Sequence, residues 1–276
     1  MTGLDELLAV LRVEGDRLRA AVAQASEAQW RTATAAPGWD VAAQIAHLAW
    51  TEEAALCAVR ASRGDGGDWE ALVRRAQRCP ERFVDDEAVK AASQPTPAII
   101  KRWDTARCRL PEELRSATGK LPWFGPPMSP ASMVTARLME TWAHGLDVYQ
   151  ALGVEPDVTD SIRHICHHGV RTRDVAYLVH RLSPPAEEFR LELTAPSGAT
   201  WAWGPVDSSQ RITGPAFDFA RVVTQRIHRD DTALRAVGSD AEVWLAIAQA
   251  FAGPPGEGRR PSATALGKSA ATLQER

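Results

Sequence analysis

The chain has 276 residues, of which 45% are hydrophobic, and its formal net charge is -3. This composition is typical of a folded protein with one large domain or two ordinary ones. It excludes the strongly basic character with which proteins hold a nucleic acid backbone, so we expect no nucleic acid partner.

The first residues differ from a signal peptide. They mix acidic and apolar side chains at helical spacing and lack a basic segment followed by an unbroken apolar one. No apolar run reaches the roughly 20 residues that a membrane-spanning helix needs. We therefore expect a cytoplasmic protein that does not span a membrane.

Apolar residues that recur at intervals of three and four predict four long helices. The segment 63–96, between the second and third of them, is broken by Gly and Pro, so we expect only short helices there. A further helix is predicted over 160–182. The four long helices are predicted at about 3–25, 41–61, 96–118 and 130–152.

Capping residues mark the ends of two of these helices. Asp40 is well placed as the N-cap of the second helix, and Ser129 or Ser132 as the N-cap of the fourth. Gly153 supplies the C-terminal signal of the fourth helix. In the third helix, Pro111 is expected to cause a kink or a restart.

The periodicity of the sequence changes near residue 186. In FRLELTA and TWAWG apolar and polar residues alternate, and Ser197-Gly198 between them predicts a β-hairpin. RITGPAFDFARVVTQRI reads as a strand entering a helix, LRAVG as a strand and DAEVWLAIAQAFAG as a last helix. We therefore predict a helical domain over 1–185, a small α/β domain over 186–254 and a flexible, polar tail over 255–276.

Three ionisable residues lie in apolar helices. Glu140 and His144 are spaced i and i+4, so both project from one helix face. In an arbitrary helix such a pair is a surface pair, but the surrounding ASMVTARLMETWAHGLDVYQAL is mostly apolar, and buried ionisable groups need a partner or a metal. His47 in IAHLAW meets the same argument. Two imidazoles and a carboxylate are a usual protein ligand set for a catalytic divalent ion.

Other residues are weaker candidates. Asp147 lies three residues beyond His144 and either orients that imidazole or faces solvent. The loop LPWFGPPMSP, with Trp123 and Phe124, either lines a substrate pocket or is a rigid connector. The HxxHH pattern is best explained by ordinary helix histidines, because no carboxylate completes a ligand set. Its histidines are His164, His167 and His168.

The segment PGWDVAAQIAHLAWTEEAAL, followed by LMETWAHGLDVYQALG, resembles the mycothiol-dependent maleylpyruvate isomerase family of the DinB-like superfamily, including its actinobacterial relatives. The resemblance covers most of the chain. It implies an α+β fold in which an N-terminal DinB-like four-helix bundle precedes a small C-terminal α/β domain. By match of motif, it implies that His47, Glu140 and His144 bind a divalent metal ion, with zinc as the expected ion.

The resemblance also implies a thiol cofactor and an arginine. Mycothiol is the implied cosubstrate, and a divalent ion stabilises a bound thiolate. The family's C-terminal domain carries an arginine that faces the active site, and GPAFDFARVVTQR places Arg226 there, with Gln225 where the family often has glycine. Arg226 is thus the implied catalytic residue, pairing with an anionic or carbonyl group. Trp123 and Phe124 are expected to join it in cofactor binding, and His228 and Arg229 are nearby alternatives to Arg226.

Three functions stay open. The first is a metal-dependent mycothiol S-transferase or thiol-dependent isomerase that acts on a small electrophilic metabolite, in a setting such as antibiotic biosynthesis. The second is a metal-dependent hydrolase of a small amide or ester, in which the ion activates a water molecule. The third is a non-enzymatic protein that binds a small molecule, in which any metal is structural. We expect a monomer or a homodimer.

Overall fold

The computed structural model describes residues 3–256 and 258–262. The chain divides into two compact units between Pro156 and Asp157. The boundary predicted from the sequence lies near residue 186, where the apolar pattern changes from helical spacing to alternation. Two short helices precede that change, but they pack against helices of the second unit.

Helices make up most of the first unit. They are α1 (Gly3–Ala23), α2 (Glu27–Trp30), α3 (Val41–Ser62), α4 (Gly67–Arg78), α5 (Phe83–Ala92), α6 (Thr96–Arg115) and α7 (Pro130–Leu152). The four long ones, α1, α3, α6 and α7, pack against one another as the predicted four-helix bundle. The short helices α4 and α5 lie where the sequence predicts short helices, and both pack against α3.

Helix α3 is the central helix of this unit. Most of its residues are buried, because it packs against α5, α6 and α7 as well as α4. Such burial requires apolar or small side chains on all sides of the helix. The sequence VAAQIAHLAW at its start meets this requirement, and its polar members Gln44 and His47 are buried with the rest.

Two apolar clusters fill the bundle. One contains the second half of α3 and the first half of α7, with residues such as Val59, Met133 and Leu138. The other contains the first half of α3 and the end of α7, with Ile45 and Val148 among its members. On α7 the boundary between the two clusters therefore falls where Glu140 and His144 lie. On α3, His47 lies in the part that belongs to the second cluster, close to where that part ends at Ala49.

Helix α6 continues through Pro111 to Arg115. The expected restart at this proline does not occur, although proline removes one backbone hydrogen bond from a helix interior. Leu110 and Leu114 flank it and are buried in the bundle. Burial of the helix face therefore compensates for the missing hydrogen bond.

The second unit combines short helices with a small sheet. Its elements are α8 (Arg163–Arg171), α9 (Arg173–Val179), β1 (Arg190–Thr194), β2 (Thr200–Trp203), β3 (Arg211–Pro215), α10 (Ala216–Val223), β4 (Arg235–Val237) and α11 (Ser239–Ile247). The segment predicted as one helix over 160–182 is a 3₁₀ turn followed by α8 and α9. The two helices separate at Thr172, whose hydroxyl donates to the backbone oxygens of His168 and Gly169.

The sheet has the strand order β2-β1-β3-β4. Strands β1 and β2 form the predicted antiparallel hairpin, with Gly198 at a φ of 86° in the turn. Strand β1 pairs with β3 in parallel, and β3 pairs with β4 in antiparallel orientation. The α+β prediction is thus confirmed, with the helical bundle first and the sheet in the second unit.

The predicted tail is described only in part. In it, the backbone nitrogen of Ser262 donates to Asp231 at 2.9 Å. Residue 257 and residues 263–276 lie outside the described residues, and so does the prediction made for them. Among the helices of the described residues, none has both the length and the apolar character needed to cross a bilayer.

Candidate metal centre

Helix caps position the three candidate ligands. The Asp40 carboxylate accepts from the backbone nitrogen of Ala43 at 2.8 Å, so α3 begins at Val41 and carries His47 in its second turn. The Ser129 hydroxyl accepts from the backbone nitrogen of Ser132 at 3.1 Å and starts α7. Helix α7 ends at Gly153, whose φ of 67° is the left-handed conformation of a helix C-cap.

His47, Glu140 and His144 come together between α3 and α7. The Glu140 Oε2 atom lies 3.1 Å from His144 Nε2 and 3.4 Å from His47 Nε2. One ligand atom of each residue lies within 4.8 Å of the others. In the part of the chain that the structure describes, no other set of three His, Cys, Asp or Glu side chains is grouped closely enough to hold an ion.

Gln44 orients the His144 ring. His144 Nδ1 lies 2.5 Å from the Gln44 Oε1 atom, while Gln44 Nε2 donates to the Thr34 hydroxyl at 2.8 Å. The amide thus presents its oxygen to the ring, so His144 Nδ1 carries the proton and Nε2 is left unprotonated, the state in which it could bind a metal ion. Asp147, expected to perform this role or face solvent, is buried, and its Oδ2 lies 3.5 Å from Gln44 Nε2.

The environment keeps Glu140 ionised. Burial alone would raise the pKa of its carboxyl group. Hydrogen bonds with His144 and His47, together with the nearby Arg137 guanidinium, hold that pKa well below its usual value instead. An anionic carboxylate beside two imidazoles is a donor set that suits a divalent ion such as Zn²⁺.

Two tryptophans pack against the imidazoles. The Trp39 ring stacks on His144 at 5.7 Å between centroids and lies 5.1 Å from the His47 ring. The Trp50 ring lies 5.9 Å from His47. Trp39 is fixed by a hydrogen bond from its indole nitrogen to Asp85 at 2.9 Å. These rings shield the polar triad from bulk water on the sides that they cover.

A second polar pair lies further along the same two helices. Glu52 on α3 and Arg137 on α7 are both buried, with 3% of each residue exposed. Burial raises the pKa of Glu52 to about 8, although a hydrogen bond from Trp103 and the charge of Arg137 oppose this shift. Sequence reasoning did not single out either residue. Spacing could have pointed to Arg137 and to Gln44, because Arg137 lies one helical turn before Glu140 and Gln44 lies one turn before His47.

The loop before α7 carries Trp123 and Phe124. It is closed by two backbone hydrogen bonds between Leu121 and Met128. Phe124 is 38% exposed and lies 6.1 Å from the Trp50 ring, which in turn contacts His47. Trp123 stacks on Trp69 at 6.0 Å. The loop thus belongs to an aromatic cluster that reaches the His47 side of the triad through Trp50.

Arg226 lies in the second unit, just after α10. Its backbone nitrogen donates to Arg221 at 2.7 Å, and its guanidinium donates to the backbone oxygen of Thr224 at 2.6 Å. The preceding Gln225 has a φ of 57°, a left-handed conformation that glycine adopts without strain. This backbone geometry explains why glycine suits the position before Arg226.

The remaining candidates take part in local structure of the second unit. His228 Nδ1 accepts from the backbone nitrogen of Asp230, and Arg229 pairs with Glu242. His167 Nδ1 accepts from the Trp203 indole at 3.3 Å, and His168 Nε2 donates to a backbone oxygen. None of the HxxHH histidines belongs to a metal-binding group of the described residues.

Two surface grooves lie away from the ligand atoms. One, of about 570 Å³, is lined by residues of α1 and α6 such as Arg19 and Asp104. The other, of about 420 Å³, is bordered by Trp39 and by residues of α5 such as Val89. The second groove includes Trp39, which packs on the triad. Neither groove is lined by His47, Glu140 or His144.

Two family models match the chain. The first, described as Mycothiol maleylpyruvate isomerase N-terminal domain, matches residues 11–149 and includes all three candidate ligands. This match covers just over half of the chain. The second, described as Wyosine base formation, matches residues 185–237, which lie in the second unit.

Two proteins of Mycobacterium tuberculosis are similar along most of the chain. Both are described as uncharacterized, Rv0036c from strain H37Rv and MT0041 from strain CDC 1551. Each is 52% identical over 254 residues, which cover 91% of this chain and 97% of the relative.

Two solved structures share the fold. They are crystal structures of the mycothiol-dependent maleylpyruvate isomerase and of a histidine-to-alanine mutant of it. Their TM-scores are 0.56 and 0.58, at 16% and 15% sequence identity. Each match covers 91% of this chain and 96% of the other. The likeness confirms the architecture of a helical bundle followed by a small unit with a sheet.

Proposed function

Because the chain belongs to the mycothiol maleylpyruvate isomerase family, we propose that it is a mycothiol-dependent transferase or isomerase that acts on a small electrophilic metabolite. The observation that carries this proposal is the convergence of His47, Glu140 and His144 within 4.8 Å. These three residues would hold one divalent ion, with zinc as the expected ion. Three protein ligands leave a coordination position for a ligand from outside the protein.

The chemistry of this proposal needs no cysteine from the chain. A divalent ion at the triad would keep the sulfur of a small thiol in its thiolate form at neutral pH. Glu140 contributes a carboxylate that its surroundings keep ionised, and Gln44 keeps the proton of His144 on Nδ1. Trp39 and Trp50 exclude water from the imidazoles that they cover, which strengthens local electrostatic interactions.

The residues that would hold the other reactants follow from the resemblance and from the aromatic cluster. We propose that Trp123 and Phe124 contact the cofactor, since their rings belong to the cluster that contains Trp50. We propose that Arg226 binds an anionic or carbonyl group of the electrophile, because a guanidinium stays charged and offers paired donors. A role in specialised metabolism such as antibiotic biosynthesis is the proposed setting.

Liquid chromatography with mass spectrometric detection tests the thiol chemistry, because it also separates isomers of equal mass. Protein purified without chelator is incubated with mycothiol and monochlorobimane, and separately with mycothiol and maleylpyruvate. We expect either a thioether, formed as the thiolate sulfur displaces chloride, or a thiol-dependent change of maleylpyruvate to an isomer of equal mass. Replacement of the chloride of monochlorobimane by hydroxide, or cleavage of maleylpyruvate by water to maleate and pyruvate, formed equally well without thiol, would instead support the hydrolase alternative.

Changing Gln44 is expected to weaken metal binding without removing a ligand. Gln44→Leu leaves His144 Nδ1 without its oxygen acceptor, and loss of such a partner typically lowers metal affinity by about 10- to 100-fold. Titration of the metal-free protein with Zn²⁺ in competition with a chromophoric chelator measures this change. Gln29→Leu is the matched control, since Gln29 caps the short helix α2 at the surface. Equal Zn²⁺ affinity in the two variants would contradict the role of Gln44.

The match to a model of wyosine base formation raises a second possibility for residues 185–237, namely chemistry on a nucleic acid base. The formal net charge of the whole chain is -3, which provides no overall attraction for a polyanion. The candidate ligands His47, Glu140 and His144 lie outside this segment. We therefore propose a small metabolite rather than a nucleic acid as the electrophile.

A further inference from the structure

Arg137 is a buried cation whose hydrogen-bonding capacity is largely unused. It is 3% exposed, and neither its Nε nor its Nη1 atom has a hydrogen-bond partner among the described residues. A guanidinium remains protonated at neutral pH, so a full positive charge is held inside the bundle. Burying a charge is costly unless it is paired and hydrogen-bonded. This arrangement therefore calls for a partner that the described part of the chain does not supply.

The residues around Arg137 do not complete its hydrogen bonds. The guanidinium carbon lies 4.8 Å from the centre of the Trp123 ring, so its planar group rests against an aromatic ring. The charge of Glu140 attracts it, but neither Glu140 nor Glu52 forms a hydrogen bond with it. Glu140 is instead engaged with the two histidines.

Glu52 is the second group of this region with an unused polar atom. Its Oε1 accepts from the Trp103 indole at 3.3 Å, while its Oε2 is buried without a partner. Because burial raises its pKa to about 8, Glu52 is mainly protonated at neutral pH and provides a hydrogen-bond donor rather than a second negative charge. Arg137 is then a buried positive charge close to a neutral acid.

The position of the pair relates it to the candidate metal centre. Arg137 precedes Glu140 by three residues on α7, so the two side chains leave neighbouring turns of one helix face. Trp123, beneath the guanidinium, also contacts Phe124, which reaches Trp50 and thus His47. The free donors and the triad therefore border one region of the bundle.

We propose that Arg137, supported by Trp123 and Glu52, binds a carboxylate group of the electrophile that reacts at the triad. A carboxylate matches the planar donor geometry of a guanidinium and its single charge. A phosphate dianion would need more than the one cation that Arg137 provides. The proposed function supplies the reaction in which this subsite would take part. Binding of a carboxylate at Arg137 does not itself depend on catalysis.

Calorimetric titration of the metal-loaded protein tests this subsite with two probes, succinate and its dimethyl ester. We expect succinate to bind at least about 10-fold more tightly than the ester, because hydrogen bonds to charged groups are the stronger ones. Equal affinity for the two probes overturns the proposal.

Variants assign the difference to Arg137. Arg137→Gln is expected to reduce the affinity for the acid to that for the ester, while Arg137→Lys, which keeps the charge but loses the planar donors, is expected to bind at an intermediate level. Arg163→Gln is the matched control, because Arg163 lies over Trp201 in the second unit. Should Arg137→Gln fail to fold, Arg137→Lys and the acid-ester comparison in the unchanged protein still decide the question.

Metal content separates this proposal from the proposed function. Arg137→Gln is expected to retain the metal stoichiometry of the unchanged protein, measured by elemental analysis. Loss of metal in this variant would mean that Arg137 acts through Glu140, and would overturn the subsite. A protein that binds no metal at all but still prefers acids through Arg137 would overturn the metal-dependent function and leave the subsite standing.

Discussion

Substitution of His47 or Glu140 by alanine is expected to abolish stoichiometric metal binding. Each change removes one of the three ligand atoms that lie within 4.8 Å of one another. Loss of an outer partner already costs about 10- to 100-fold in affinity, so loss of a ligand should cost at least about 100-fold. Elemental analysis of protein purified without chelator, together with Zn²⁺ titration, measures the effect.

The control for this experiment uses residues of the same types elsewhere in the chain. Glu53→Ala changes a glutamate on α3 that pairs with Arg102 instead of facing the triad. His167→Ala changes a histidine that accepts from the Trp203 indole. Both controls should keep the metal content of the unchanged protein. Full metal content in both ligand variants would show that the triad is not the metal site.

Stability is expected to depend on pH through Glu52. Burial raises the pKa of this group from 4.5 to about 8 in the folded protein. Its contribution to stability is therefore fully present below about pH 4.5 and is lost as the pH rises through 8. In that window the free energy of unfolding should fall by about 1.4 kcal/mol per pH unit, reaching on the order of 3 to 5 kcal/mol in total.

Glu52→Gln isolates this effect, because glutamine resembles the protonated acid in shape and does not ionise. The variant should gain stability over the unchanged protein steadily between about pH 5 and 8, with a constant difference at higher pH. Urea unfolding at a series of pH values provides the measurement. Glu53→Gln, at a partly exposed ion pair, should change stability by less than about 1 kcal/mol at each pH. Parallel pH curves for Glu52→Gln and the unchanged protein would contradict the prediction.

The helices that carry the ligands were predictable because their signals are local. Asp40 and Ser129 cap α3 and α7 through their own side chains, and Gly153 adopts the left-handed conformation that ends α7. Such interactions involve residues within a few positions of one another, so a sequence pattern contains them. The hairpin around Gly198 is predictable for the same reason.

Features that depend on distant contacts were harder to predict. The helices over 160–182 precede the change in pattern, yet they pack within the second unit, and only tertiary contacts decide that membership. Gln44 and Arg137 look like isolated polar residues in apolar helices. Their roles depend on α3 lying against α7, which brings Gln44 to His144, 100 positions away. The family resemblance identified His47, Glu140 and His144 as one ligand set but gave no role to Gln44 or Arg137.

The separation of the ligands along the chain would link metal binding to the stability of the protein. His47 and Glu140 are 93 positions apart, and the unfolded chain has no such site. An ion shared between α3 and α7 would act as a removable cross-link, and its binding would add about 2.7 kcal/mol to stability when free ion exceeds the dissociation constant 100-fold. The amount of intact protein would then follow the metal supply, so scarcity of the ion would lower abundance as well as turnover.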